Sequence, residues 1–245
     1  MLRVHWLEFK SEFLKMLRLP AYVIPTLAFP VMFYVFFAIV FGQKGIASYL
    51  IATYGAFGII GASLFGFGVS VAIERGQGWL SLKRATPMPL SAWFGAKIGM
   101  AFLFSAIIVV LLSILGIVLG GVHFAPAAWA MLFAVLVGGA LPFCAMGLMI
   151  AYAAGPNSAP AIVNIVYLPM SFLSGLWIPI EVMPKFLQHI APAFPPFHLA
   201  QLALIVIGQT KGNVAPHIAA LAGFTALFLV AATIAYRRDE GKVYG

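Results

Sequence analysis

Cysteine occurs once, at Cys144, so the chain can close no disulfide within itself and offers no thiolate pair to a metal. There is no Gly-x-x-x-x-Gly-Lys-Ser/Thr run, which excludes nucleotide binding through a P-loop, and no His-Glu-x-x-His. Charge is also scarce: 8% of residues are Asp, Glu, Lys or Arg, against about 25% in a soluble domain. An ion-coupled carrier keeps an Asp or Glu at membrane depth to hold its coupling ion, and no long apolar run here has one in its interior. His123, His189, His198 and His217 fall in or near short connecting turns and form no recognisable pair with a serine. Intramembrane hydrolysis therefore has no support.

The chain has apolar length in abundance. Of its 245 residues 63% are hydrophobic, and six runs approach or exceed the roughly 20 residues needed to cross a bilayer core of about 30 Å. They cover about 19–42, 46–73, 98–122, 127–154, 160–180 and 214–236. Lipid leaves backbone amides no water to bond, so each run is expected to be helical. The expected class is an all-α integral membrane protein with six spans, forming one domain over 1–245.

Basic residues set the expected orientation. Arg3, Lys10, Lys15 and Arg18 precede the first span. Arg75, Lys83, Arg84 and Lys97 lie between spans two and three or at the foot of span three, and Arg237, Arg238 and Lys242 follow span six. Only Lys44, Lys185 and Lys211 belong to the other side, so both termini are expected to be cytoplasmic. The net charge of +8 then reads as a topology signal and an attraction to anionic lipid, not as a nucleic-acid site. No cleavable signal is expected, because 18 mixed-charge residues precede a proline-interrupted span.

Three segments break the apolar pattern. In residues 1–18, Leu2, Trp6, Phe9, Phe13 and Leu17 recur at helical spacing, which predicts an interfacial helix. Glu8 and Glu12 are expected to support its polar face beside Lys15. Residues 74–92 gather both charge signs, and a short helix over Trp79–Arg84, stopped at Thr86-Pro87, would make a compact knob for a partner. A plain solvated loop is the alternative. Residues 181–210 are cut by prolines into pieces too short to span, which predicts a pair of short re-entrant helices, with a bare amphipathic loop as the alternative.

Two of these segments carry a resemblance. Glu74-Arg75-Gly76-x-Gly78-x-Leu80-x-x-x-Arg84-x-Thr86-Pro87 resembles the cytoplasmic loop of type-2 ATP-binding-cassette export permeases. Asn164-x-x-x-x-Pro169-x-x-Phe172-Leu173-Ser174-Gly175-x-x-x-Pro179-x-x-x-x-Pro184 is similar to the late-span and re-entrant region of the same family. The resemblance covers essentially the whole chain. It implies a permease subunit without catalytic residues, powered by two copies of an ATP-binding-cassette ATPase that would hold the ATP and magnesium. It further implies a second permease copy, in a homodimer or beside a paralogue, and a bacterial inner membrane location.

By position the resemblance assigns contact with the partner ATPase to Glu74, Arg75, Gly78, Trp79, Leu80, Leu82, Lys83, Arg84, Thr86 and Pro87. It gives a translocation path past Ser63, Ser70, Asn164, Tyr167, Ser171 and Ser174, closed outside by Gly175, Pro179, Glu181 and Pro184. Residues 1–18 lack the Tyr- and Trp-rich entry of many polysaccharide exporters and look like the drug and lipid branch. The expected cargo is hydrophobic or amphipathic: a drug, lipid or lipid-linked molecule. A glycan exporter of the same family is the alternative within the class. A lipid-acting membrane enzyme and an ATP-independent channel are the alternatives outside it.

Overall fold

The computed structural model describes residues 2–42, 45–86 and 88–240, without the side chains of Ser81, Arg84, Asp239 and Glu240. Among them the chain is helical with turns and no strand. In order come α1 (Leu2–Leu17), α2 (Pro20–Val40), α3 (Ile46–Gly76), α4 (Trp79–Arg84) and α5 (Leu90–Val118). Then follow α6 (Pro126–Ala153), α7 (Ala159–Leu173), α8 (Lys185–Ile190), α9 (Pro195–Val206) and α10 (Val214–Glu240). Five of these, α2, α3, α5, α6 and α10, are long and apolar enough to cross a membrane. The segment Lys185–Ala193 and α9 meet at 98°, a broken span or a re-entrant pair, in the stretch where two short helices were expected.

Helix α3 is the axis. It is enclosed by α2, α5, α6, α7 and α9, so almost every residue from Leu50 to Ser63 is buried. In lipid, helices gain little from hydrophobic contrast and associate where small residues let backbones meet. Gly68 of α3 and Gly147 of α6 provide such a meeting: a Cβ on Gly68 would lie 2.8 Å from the Gly147 Cα. Two π turns, Val35–Val40 at the end of α2 and Leu64–Val69 within α3, widen the helices locally. Helix α10 lies outside, against α9 and the second half of α6, and keeps most of its surface exposed.

Prolines start α2 and α6 at the first helical turn, where the missing N–H costs nothing. Three helix boundaries differ from expectation. Helix α3 continues past 73 to Gly76, and α5 begins at Leu90 rather than 98, which puts Lys97 two turns inside a span helix. Span five, expected over 160–180, is only the 15-residue α7. At 1.5 Å per residue this is about 22 Å, short of the bilayer core. Gly175, at φ +77°, stops it: the Leu176 N–H bonds the Ser171 carbonyl at 3.2 Å and turns the chain back.

Helix α1 packs along α5. Of its apolar stripe, Leu2, Trp6 and Leu17 are exposed, while Phe9 and Phe13 pack against the core. The buried residues are Glu12 and Met16, so Glu12 turns into the bundle instead of outlining a polar face.

Candidate functional site

The end of the bundle carrying most basic residues holds the site, built from α1, the end of α3, α4 and the start of α5. Gln77-Gly78 turn the chain out of α3 with Gly78 at φ +77°. The Leu82 N–H reaches back to the Gly78 carbonyl at 3.3 Å, and the Thr86 hydroxyl donates to the Lys83 carbonyl at 2.7 Å. Helix α4 therefore forms where the loop sequence predicts a knob. Trp79 and Leu82 are 52% and 62% exposed, Trp79 at the edge of a cavity shared with α1, α2 and α3, while Leu80 packs against the core and Thr86 is exposed. The Arg84 side chain and Pro87 lie outside the described residues.

Behind α4 sits a network of three carboxylates and three ammonium groups. Lys97, with no exposed side-chain surface, donates to Glu12 Oε2 at 3.0 Å, Glu74 Oε1 at 2.6 Å and Ser70 Oγ at 2.7 Å. Lys15 also donates to Glu74 Oε1 and lies 3.8 Å from Glu12 Oε2. Trp93 Nε1 donates to Glu74 Oε2 at 3.2 Å. Lys83 of α4 donates to Glu8 of α1, lies 3.9 Å from Glu12 Oε1, and sits 5.6 Å from the Trp93 ring centroid. Burial opposes the charge of Lys15, but the Glu74 and Glu12 carboxylates outweigh it and hold its ammonium above the usual lysine range.

A buried carboxylate without a partner is costly, whereas one held by two ammonium groups and an indole is not. The network thus ties α4 to α1, α3 and α5 at once, and displacing α4 must disturb charges that cannot be left unpaired. Glu74 and Ser70 belong to this inner network and not to the outward face of α4. Arg75 turns toward α6, donating to the Ala154 carbonyl and lying 5.9 Å from the Tyr152 ring. Glu8, Glu12, Lys15, Trp93 and Lys97 were not singled out in the sequence as site residues. The one available signal was Lys97 as a lone charge after the apolar stretch that begins at Leu90.

The residues assigned to a path lie in different environments. Ser63 and Ser171 are fully buried and Ser174 nearly so, and among the described residues the Ser171 and Ser174 hydroxyls have no hydrogen-bond partner. Tyr167 is buried and donates to the Phe57 carbonyl at 2.8 Å. Asn164 is exposed on α7, its amide bonded to the Pro160 carbonyl at 3.1 Å. At the opposite end of the bundle, Tyr49 donates to the Gly175 carbonyl at 3.3 Å, Pro179 precedes a 3-10 turn over Ile180–Val182, and Pro184 starts α8. The Glu181 side chain is exposed, and its backbone carbonyl accepts from Gln188 at 3.2 Å.

Aromatic rings gather between these ends. Phe33 stacks with Trp177 at 5.8 Å, Phe57 with Tyr167 at 4.8 Å, and Phe29, Phe33 and Phe37 form a ladder up α2.

The sequence has relatives. The family described as "ABC-2 type transporter" matches residues 5–208. A protein of Bacillus subtilis (strain 168), named "Putative transport permease YvfS", is 28% identical over 193 residues, covering 77% of this chain and 79% of its own.

Proposed function

Because the chain belongs to the ABC-2 type transporter family, the membrane-subunit family of a transporter rather than of an enzyme, we propose that it is the permease half of an ATP-driven exporter. The family implies an ATP-binding-cassette ATPase as partner. In this reading two permease copies, most simply identical, sit in a bacterial inner membrane with both termini cytoplasmic. Two ATPase subunits supply ATP and magnesium, and the cargo is a hydrophobic or amphipathic molecule moved outward. The observation that carries the reading is α4: a short helix with Trp79 and Leu82 exposed, braced from behind by a buried ion network. Such a knob can accept force from a soluble partner and pass it to α1, α3 and α5 together.

Exposed aromatic and large apolar residues form typical anchors in protein interfaces. Closure of the ATPase pair would push α4, tilt α3 and its neighbours, and open the seam between permease copies. The ladder of Phe29, Phe33 and Phe37, with Phe29 and Phe37 exposed on α2, gives such a seam an apolar lining. The test is a mild-detergent purification of tagged protein with Leu82→Asp and Arg84→Glu introduced together. The unaltered chain should bring down a P-loop ATPase in equal amount, with vanadate-sensitive activity. The double variant should insert normally and lose the ATPase. Retained assembly and export in the variant would refute the role of α4.

A further inference from the structure

Between α1, α2, α3 and α4 lies a cavity of about 860 Å³, within the range that holds small-molecule and cofactor ligands. Its lining joins two chemistries. Glu8, Glu12, Lys15, Glu74 and Lys83 are charged, and Tyr22, Phe65, Val69 and Ile73, with Met16 and Leu19, are aromatic or apolar. The division follows the depth of the chain in the membrane, because apolar span residues give way to charges at this level of α2 and α3. The cavity therefore sits where the headgroups of one leaflet meet its acyl chains.

We infer that this cavity binds the head and upper chain of a zwitterionic membrane phospholipid. The charge pattern selects the head. Lys15 and Lys83 retain 43% and 22% side-chain exposure and face the cavity, so they can meet a phosphate. Each has a carboxylate against it, Glu74 and Glu8 respectively, with Glu12 within 4 Å of both. A purely anionic head reaching these lysines meets the carboxylates, and a purely cationic head meets the lysines. A phosphate joined to an ammonium matches both signs and leaves no charge uncompensated. Lys97 is absent from the cavity lining and pairs with Glu12 and Glu74 from within the bundle.

The chain of the lipid would lie against Tyr22, Phe65 and Val69, in the apolar part of the lining. Bound there, the lipid touches α1 through Lys15 and α4 through Lys83. That its presence alters the partner ATPase rests on the reading above, whereas binding itself does not.

The full permease is placed in phosphatidylglycerol nanodiscs containing trace phosphatidylethanolamine with a diazirine on its upper acyl chain. Crosslinks are mapped by peptide mass spectrometry. The expected result is labelling of peptides carrying Tyr22, Phe65, Val69 or Ile73, lost on adding excess unlabelled phosphatidylethanolamine. A phosphatidylglycerol probe should label the same peptides about fivefold less, the effect of roughly 1 kcal/mol from one mismatched charge near the headgroup plane. Ala21→Trp, which adds bulk to the cavity lining from α2, should remove the labelling. Equal labelling by both probes, or labelling that unlabelled phosphatidylethanolamine does not displace, would overturn the inference. The competition arm decides the matter even if Ala21→Trp folds poorly, and no arm depends on finding an ATPase.

Discussion

Lys97→Met separates a structural ion network from a surface decoration. The substitution keeps the length and apolar stem of the side chain and removes its charge. It leaves Glu12 without its 3.0 Å partner and strips Glu74 of one of two ammonium donors, both carboxylates being nearly inaccessible. Removing one member of a buried ion pair typically costs about 3–5 kcal/mol. At about 2–4 °C per kcal/mol for a chain of this length, the thermal midpoint should fall by roughly 6–20 °C. Lys15→Met removes the same charge from a side chain that is 43% exposed, where pairs contribute about 0–1 kcal/mol, and should shift the midpoint by less than about 4 °C. The assay is fluorescence-detected size exclusion of detergent-solubilised protein after stepwise heating. Adding Glu12→Gln to Lys97→Met returns the network to two carboxylates and two ammonium groups and should restore at least half of the loss, as a coupled pair requires. Equal shifts for Lys97→Met and Lys15→Met, or no recovery in the double variant, would refute the reasoning.

Backbone contact predicts a contrast between glycines. Gly68→Ala drives a Cβ into the Gly147 backbone and should cost about 1–3 kcal/mol, whereas Gly95→Ala, with nothing within 4 Å, should be neutral or slightly stabilising in the same heating assay. Equal effects would show that α3 and α6 do not meet as described. Among the polar span residues, Tyr167→Phe should lower stability by about 1 kcal/mol through loss of the bond to Phe57 and leave cargo-stimulated ATPase activity unchanged. Asn164→Ala should do the reverse, because its amide is exposed and bonded only within its own helix. A transport defect in the first, or a stability defect alone in the second, would reverse their assignments.

The helices α2, α3, α5, α6 and α10 were legible because span formation is dictated by local composition: an apolar run in lipid has no option but to bond its own backbone. Helix α4 was legible from its stop at Thr86-Pro87. The end of α7 was not, because Trp177-Ile178-Pro179-Ile180 continues the apolar run while a single left-handed glycine decides where the helix stops. The ion network was less visible still. Lys97 looked like one more marker of the basic face, and Glu12 like half of a helix-surface pair with Lys15. Their contact spans 85 residues of sequence, and helical periodicity says which residues share a face without saying what that face will meet. The pairing of His198 with His217, 3.0 Å between their Nδ1 atoms, was hidden for the same reason.

The contact of Gly68 with Gly147 divides α3 unevenly. At 1.5 Å per residue, about 12 Å of helix lies between Gly68 and Gly76, and about 33 Å between Gly68 and Ile46. Backbone pressed on backbone resists sliding but permits rocking, so the contact is a fulcrum and the two stretches are unequal arms. A displacement of about 1 Å applied at the short arm, where α4 begins, would emerge at Ile46 as nearly 3 Å in the opposite sense. On the reading of α4 as the point where the partner pushes, small strokes at one face of the membrane would become larger displacements at the other, provided that the helices packed on α3 move with it.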